Sequence, residues 1–361
     1  MRLAIDASRC TVPRITGTEN YAIQLIRELI RLNATHHIRL YFRDVPAQNL
    51  FPPSPLVEQR VVPFRRAWTH VRFAAELWRD RPDVTLVPAH TLPLFFPGQA
   101  MVTVHDLGFK YFPQAHPLRQ RLYLDWTTRY SAARASIILA DSQATADDIQ
   151  HFYGTSSDKI QVVYPGVEKP FVGDINAARQ KYHLPERYFL FIGTLQPRKN
   201  IAGVVRAYSL WRSRNIGENV GLVLAGGKGW LFDPAWVTGI DGVQLTGYVD
   251  DTDKGALYAG ALALVFPSLY EGFGFPVLEA MHSGTPVIAS QTSSLPELVR
   301  DAGILVDPLD VEEIAEAMGV MIQDESKRQI CREKGYSQAL RFTWEHAAEK
   351  VLRALELAVI H

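Results

Sequence analysis

The sequence predicts an α/β protein of two domains, each a parallel β-sheet with helices on its faces. Three observations carry that prediction. Short apolar runs alternate with longer segments of helical periodicity along the whole chain, the pattern of repeated βαβ units. The chain has 361 residues, enough for two domains of ordinary size. It is 47% hydrophobic and 21% charged, as a globular protein is.

In the first half, Leu3 to Ala7 reads as a strand, and the loop Ser8 to Glu19 leads into a helix from Asn20 to Leu32. That loop carries Gly17 but no G-x-G-x-x-G, which argues against a dinucleotide-dependent dehydrogenase. His37 to Arg43, Gln59 to Pro63 and Val84 to Pro88 read as strands, and Ala67 to Arg79 as a helix. Ala100 to Val104 is a buried strand that ends in His105-Asp106. Such a pair serves as metal ligands, as a general acid and base, or as a structural hydrogen bond. Phe109 to Arg134 is aromatic and basic. Acceptor binding and membrane contact are open to it, and a core-packed amphipathic helix accounts for most of its residues. Ser136 to Ala140 is a strand, and Asp141-Ser142-Gln143-Ala144-Thr145 caps the next helix. Ile160 to Val163 precedes Tyr164-Pro165-Gly166-Val167, where the first domain is expected to end. The expected division is a first domain over 1–167, a linker region over 168–186, a second domain over 187–344, and a last helix over 345–361.

The second half opens on a strand, Tyr188 to Ile192, followed by Pro197-Arg198-Lys199-Asn200. Two cations at the start of the next helix face its unfavourable dipole end, which suggests an anion between them. Gly221 to Ala225 is a strand that runs into Gly226-Gly227-Lys228-Gly229, which lacks the spacing of a Walker phosphate loop. Asp250-Asp251-Thr252-Asp253 tempts a metal assignment but precedes a helical run and reads better as N-capping.

The most informative stretch is Leu262 to Ser290. Leu262 to Phe266 is a strand, Gly272 and Gly274 let the backbone approach a ligand, Pro276 suits a first helical turn, and Gly284 ends the helix. A helix that starts from a glycine loop presents free N–H groups and partial positive charge to a phosphate. Glu271 and Glu279 bracket it. Beside phosphate a carboxylate is repelled, so each is expected to face hydroxyl groups. A nucleotide-sugar has that layout; a surface loop with two solvated glutamates is the plainer alternative.

Lys+Arg and Asp+Glu both number 38, for a net charge of +0, which argues against a dedicated nucleic-acid binder. Residues 1–170 carry +5 and the remainder −5. The two cysteines, Cys10 and Cys331, form no metal or redox motif, so a cytoplasmic location is expected. The segment MRLAIDASR has no apolar core of a signal peptide. No apolar run approaches the roughly 18 residues of a membrane span, so any membrane contact would be peripheral.

The run Glu271-Gly-Phe-Gly-Phe-Pro-Val-Leu-Glu279, then Ala280 and Gly284-Thr-Pro-Val-Ile-Ala289, resembles the E-x7-E signature of retaining GT-B glycosyltransferases, most closely glycosyltransferase family 4. The resemblance implies two Rossmann-like domains facing one another across a cleft, with the last helix crossing back to the first. It implies transfer of a hexose from a nucleotide-sugar to a hydroxyl of a glycan or lipid-linked acceptor, with retention and without a cofactor. The Gly193-Thr194-x-x-Pro197-Arg198-Lys199-Asn200 variant is similar to that of mannosyltransferases using GDP-mannose. Residue by residue, the resemblance gives Lys199 and Arg198 the donor diphosphate and Glu279 the ribose. It gives Glu271 and His105 the sugar, and the backbone at Gly17, Thr18, Gly272, Phe273, Gly274 and Phe275 the phosphates. No metal ligand is expected. A nucleotide-sugar epimerase and a non-catalytic nucleotide-sugar binding module are the alternatives; the intact set of Glu271, Glu279, Lys199 and His105 argues against the second.

Overall fold

The computed structural model describes residues 1–12, 16–115, 117–215 and 217–360. Among these, two parallel sheets organise the chain. The first contains β1 (Arg2–Asp6), β2 (His37–Phe42), β3 (Val57–Val61), β4 (Val84–Val87), β5 (Gln99–Val104), β6 (Ile137–Ala140) and β7 (Ile160–Val162). Its order is β3-β2-β1-β4-β5-β6-β7. The second contains β8 (Tyr188–Ile192), β9 (Gly221–Ala225), β10 (Val243–Gly247), β11 (Ala263–Phe266), β12 (Val287–Ser290) and β13 (Ile304–Val306), ordered β10-β9-β8-β11-β12-β13. The central strands β4, β5, β6, β8, β9, β11 and β12 are almost wholly buried, which is why they read as unbroken apolar runs rather than alternating ones. Edge strand β3 is largely exposed and carries Glu58 and Arg60, a charged edge that resists further pairing.

Helices of the first half are α1 (Gly17–Leu32), α2 (Ala74–Asp80), α3 (Gly108–Tyr111), α4 (Leu118–Arg134) and α5 (Gln143–Tyr153). The second half has α6 (Ile175–Tyr182), α7 (Ile201–Arg214), α8 (Asp251–Gly260), α9 (Phe275–His282), α10 (Leu295–Val299), α11 (Val311–Gln323) and α12 (Glu325–Ala339), and the chain closes with α13 (Trp344–Ile360). The chain divides into two compact units: residues 1–166 with 343–361, and residues 167–342. The stretch 168–186 contains α6 and belongs to the second unit.

In both sheets the order reverses beside the first strand of the unit, between β1 and β4 and between β8 and β11. Loops leaving the C-terminal ends of these strands diverge to opposite faces and leave a crevice, the place where open α/β sheets bind ligands.

Helix α1 starts at a capping box, with the Glu19 carboxylate accepting from the Thr16 N–H at 3.1 Å and so satisfying an otherwise orphaned donor. Its buried stripe includes Tyr21, Leu25, Ile26, Leu29 and Ile30. Helix α13 packs on α1, with the Trp344 and Tyr21 rings edge to face at 5.7 Å and Arg31 bonded to Glu345 at 2.6 Å. Gly166 makes room for its start: a Cβ there would lie 2.1 Å from the Trp344 nitrogen.

Two expected helices differ from the sequence reading. Residues 67–79 are not one α-helix: a π-helical segment, Trp68–Phe73, precedes α2. It stacks Trp68 on Phe73 at 5.1 Å while the Trp68 indole donates to the Val62 carbonyl at 2.8 Å. Residues 109–134 are broken at Pro113 and Pro117, which cannot donate within a helix, into α3, a short turn and α4. The expectation that most of its large residues pack in the core also fails. Helix α4 buries Thr127, Thr128, Ser131 and Ala132, whereas Leu118, Leu122, Tyr123 and Trp126 are exposed. Among the described residues, no helix is long and apolar enough to cross a membrane.

Gly166→Ala should therefore destabilise the protein by about 1–3 kcal/mol, the usual scale of forced overpacking, because the obstruction is backbone that cannot step aside. Urea denaturation followed by circular dichroism would measure it; an unchanged midpoint would contradict the close approach.

Candidate active site

The crevice of the second unit is built by the loops after β8 and β11. The first turns at Gly193 (φ +142°) and lies against the loop after β9, where a Cβ on Gly226 would meet the Gly193 carbonyl oxygen at 2.0 Å. A short 3-10 turn, Pro197–Lys199, follows and closes at Asn200 in the left-handed conformation (φ 58°). The Asn200 amide nitrogen donates to the carbonyls of Pro267 (3.1 Å) and Pro308 (2.6 Å). This lashes the cation-bearing turn to the loop after β11. Gly203 leaves the space, since a Cβ there would stand 2.3 Å from the Asn200 side-chain oxygen.

Lys199 and Glu271 are thereby brought together, with Nζ 2.5 Å from Oε1. The Arg198 guanidinium donates to the Tyr270 carbonyl at 2.9 Å and lies 3.7 Å from the other Glu271 oxygen. Glu271 is buried. Burial by itself pushes its carboxyl up, but Lys199 and then Arg198 outweigh burial and hold it below the usual carboxylate range, so it is ionised at neutral pH. The Glu271 N–H donates to the Ser293 hydroxyl at 2.9 Å, and the Ser294 hydroxyl donates to the Glu271 carbonyl at 3.0 Å. The Lys199 ammonium also sits 4.9 Å from the centre of the Phe266 ring.

Beyond Glu271 the chain passes Gly272, Phe273 and Gly274 into α9. Gly274 has φ +129°, and a Cβ there would strike Leu295 at 2.6 Å. Phe273 is buried against Phe275 (5.1 Å) and Phe342 (6.0 Å), so its side chain belongs to the core and only its main chain can meet a ligand. Glu279, in the second turn of α9, accepts from the Tyr258 hydroxyl at 2.7 Å. Tyr258 was not visible as a site residue in the sequence; its only signal is position in a helix separated from α9 by one strand.

The N-capping read for Asp250-Asp251-Thr252-Asp253 holds in position and fails in bonding: Asp250 is the N-cap residue of α8 and Asp251 and Asp253 lie in its first turn, but no side-chain cap bond forms. Lys181 lies 2.7 Å from Asp250 and 2.6 Å from Asp253. Asp251 pairs with Lys254 at 2.5 Å.

In the first unit His105 leaves the end of β5. Its partner is not Asp106, whose carboxylate accepts from the Gly108 N–H at 2.8 Å, but Asp141 at the end of β6, 2.8 Å from Nδ1. The cap reading of 141–145 holds for Ser142, which accepts from the Thr145 N–H at 3.1 Å. It misses Asp141, which parallel pairing of β5 with β6 places beside His105. Burial opposes charge on His105, yet Asp141 more than offsets it and raises the imidazole above its ordinary value. His90, whose Nε2 accepts from the His105 N–H at 3.1 Å, is pushed down to about 4 by burial and then by His105. The His105 Nε2 is buried and makes no regular hydrogen bond among the described residues, though the Pro88 backbone favours the charged ring, and Tyr21 closes one side with its ring at 4.8 Å. Gly17 and Thr18 form the first turn of α1; Thr18 shares the wall of a cavity of about 270 Å³ with His90, Asp6 and Asp106.

Residues 174–338 match the family described as Glycosyl transferases group 1, and residues 15–169 match Glycosyltransferase Family 4. O-antigen chain mannosyltransferase B of Escherichia coli is 31% identical over 371 aligned positions, spanning 95% of this chain and 96% of that protein. The chain belongs to glycosyltransferase family 4. Among solved structures, sucrose-phosphate synthase from Thermosynechococcus elongatus superposes on this glycosyltransferase with a TM-score of 0.76 and 21% identity, covering 99% of this chain and 98% of the other. An Anabaena protein solved with UDP and glucose gives 0.73 at 16% identity, covering 99% of each chain. At such identities the likeness speaks for the fold, which is GT-B.

Asp141→Asn should lower the pKa of His105, because it removes the anion that keeps the imidazolium favourable while leaving the burial that opposes it. Proton NMR titration of the His105 ring would read the downward shift. An unmoved titration would mean that Asp141 does not set the charge of His105.

Proposed function

We propose that this glycosyltransferase moves a hexose, mannose from GDP-mannose in the first instance, onto a hydroxyl of a glycan or lipid-linked acceptor with retention at the anomeric carbon. The observation that carries the reading is the cluster of partly buried Lys199 and Arg198 around buried Glu271 at the strand reversal of the second unit, beside the N-terminus of α9. The mannose preference draws on the likeness to the E. coli mannosyltransferase.

Lys199, Arg198 and the α9 N–H groups take the donor diphosphate, and Glu279, oriented by Tyr258, accepts from the ribose hydroxyls. Ionised Glu271 accepts from sugar hydroxyls. His105, anchored through Nδ1 to Asp141, turns its Nε2 toward a sugar oxygen. In the reaction the bond from the anomeric carbon to the diphosphate oxygen breaks, and its electron pair stays on the diphosphate. The acceptor oxygen bonds to that carbon on the same face, and its proton passes to the departing phosphate. Negative charge grows on the diphosphate as this happens, which is where fixed cations act most strongly. No divalent ion is assigned a part, because Asp250, Asp251 and Asp253 are already engaged by lysines. We place the reaction in the cytoplasm, in keeping with the free, buried Cys10 and Cys331.

A thermal-shift panel of nucleotide-sugars tests the donor, since a ligand that binds only the folded state raises its melting temperature. GDP-mannose should give the largest shift, and transfer to a glycan acceptor should survive thorough EDTA treatment. Release of an isomerised donor without any acceptor would favour an epimerase instead. Lys199→Ala should lower kcat by about 100-fold or more with a smaller rise in donor KM, the scale for losing one electrostatic donor. A folded variant with near-normal kcat would remove Lys199 from the chemistry. Glu279→Ala should weaken calorimetric binding of the free nucleoside diphosphate by about 10-fold or more, and Glu271→Ala should spare that binding while depressing turnover. Equal losses from both would refute the division of roles.

A further inference from the structure

Ser293 stands in the loop after β12 with φ 52°, in the left-handed region. A residue other than glycine is uncommon there, because its Cβ crowds the backbone. Such strain persists where the surroundings enforce it, and it gathers at ligand sites. Here the loop after β11 enforces it. Parallel pairing of Phe266 with Ala289 sends the two loops out of the sheet side by side. The Glu271 N–H donates to the Ser293 hydroxyl oxygen at 2.9 Å, and the Ser294 hydroxyl donates to the Glu271 carbonyl at 3.0 Å. The two serines thus hold the Glu271 main chain from both sides.

Their hydroxyls differ in what remains to be given. An N–H can only donate, so the Ser293 oxygen is the acceptor in its bond, and its own hydrogen is left for another group. Among the described residues the Glu271 N–H is its one hydrogen-bond partner. The neighbouring hydroxyls are spent: Ser290 donates to the Ser268 carbonyl at 2.7 Å, and Ser294 to the Glu271 carbonyl. Ser268, Ser290 and Ser294 are also wholly buried, whereas Ser293 is half-buried, so a ligand can reach it. The residue it holds carries the carboxylate that Lys199 fixes at 2.5 Å. Beside that carboxylate a phosphate is repelled and a sugar hydroxyl is not. A carboxylate only accepts, while a sugar hydroxyl both donates and accepts. Ser293 offers the uncharged donor that Glu271 lacks.

We propose that Ser293 is a specificity-determining residue for the transferred hexose: its hydroxyl accepts from the Glu271 N–H and donates to a hydroxyl oxygen of the sugar. This rests on the nucleotide-sugar reading above and adds a contact from the loop after β12. Glycine at 293 would relax the backbone but lose the donor, which gives the strained serine a use.

The test is calorimetry on the full chain with GDP, GDP-mannose and the 2-, 3-, 4- and 6-deoxy analogues of GDP-mannose. Ser293→Gly suits the left-handed backbone and is checked for folding by circular dichroism; Ser293→Ala, which keeps Cβ, is the second variant. Each should bind GDP as the wild type does and GDP-mannose about five-fold more weakly, the scale of one uncharged hydrogen bond. For the analogue that lacks the contacted hydroxyl, wild type and variant should bind alike. The loss should persist when Ser293→Gly is added to Glu271→Ala, because the contact is direct. Unchanged GDP-mannose affinity overturns the proposal, and so does the same loss with every deoxy analogue. An equal loss for GDP would give the hydroxyl to the nucleotide and overturn it. A loss that vanishes in the Glu271→Ala background would leave Ser293 as a positioning residue for Glu271 and overturn it too. If another nucleotide-sugar binds and GDP-mannose does not, the mannose reading falls by itself, and that nucleotide-sugar with its free nucleoside diphosphate makes the same comparison. A wild type that binds no nucleotide-sugar overturns both readings.

Discussion

The largely buried ion pair of Lys199 and Glu271 is the constraint around which the second unit is arranged. Two charges removed from water are tolerated only when each is the other's partner and the remaining polar atoms are satisfied. The surrounding structure meets that condition piece by piece. Asn200 holds the lysine's turn against the loop after β11, Ser293 and Ser294 fix the backbone of the glutamate, and Arg198 adds a second cation. Glycines at 193, 203, 226 and 274 stand where a side chain would collide or the backbone is left-handed. Much of the loop sequence thus answers to one electrostatic requirement.

The first unit repeats the device with different chemistry. A largely buried histidine and a buried aspartate meet at the ends of neighbouring strands β5 and β6, and the second ring nitrogen of the histidine makes no regular hydrogen bond among the described residues. Burial acts against the charge of both Glu271 and His105, and nearby opposite charges, Lys199 with Arg198 in one and chiefly Asp141 in the other, reverse the outcome. Groups of this kind are poised for a ligand: the scaffold has already desolvated them and fixed their direction, so binding need not reorganise the site.

The two crevices differ in chemistry. The second unit gathers cations beside a helix N-terminus. The first sets carboxylate residues beside arginines. A doubly wound sheet produces such a crevice wherever its strand order reverses, and the side chains that happen to leave the strand ends there decide what it takes.

The alternation of strands and helices is legible in the sequence, because apolar runs and helical stripes are local properties that one stretch of chain displays. Glu271, Glu279, Lys199 and Arg198 are legible as candidates too, since glycine spacing, a proline-started helix and a pair of cations are written in consecutive residues; His105 comes from the family resemblance. Partners could not be read this way. Asp141 for His105, Tyr258 for Glu279 and Lys181 for Asp250 lie 36, 21 and 69 positions distant, and strand order and helix packing alone bring them close. The exposed face of α4 escaped for a related reason: burial depends on what packs against a helix, and here small residues rather than aromatic ones meet the sheet.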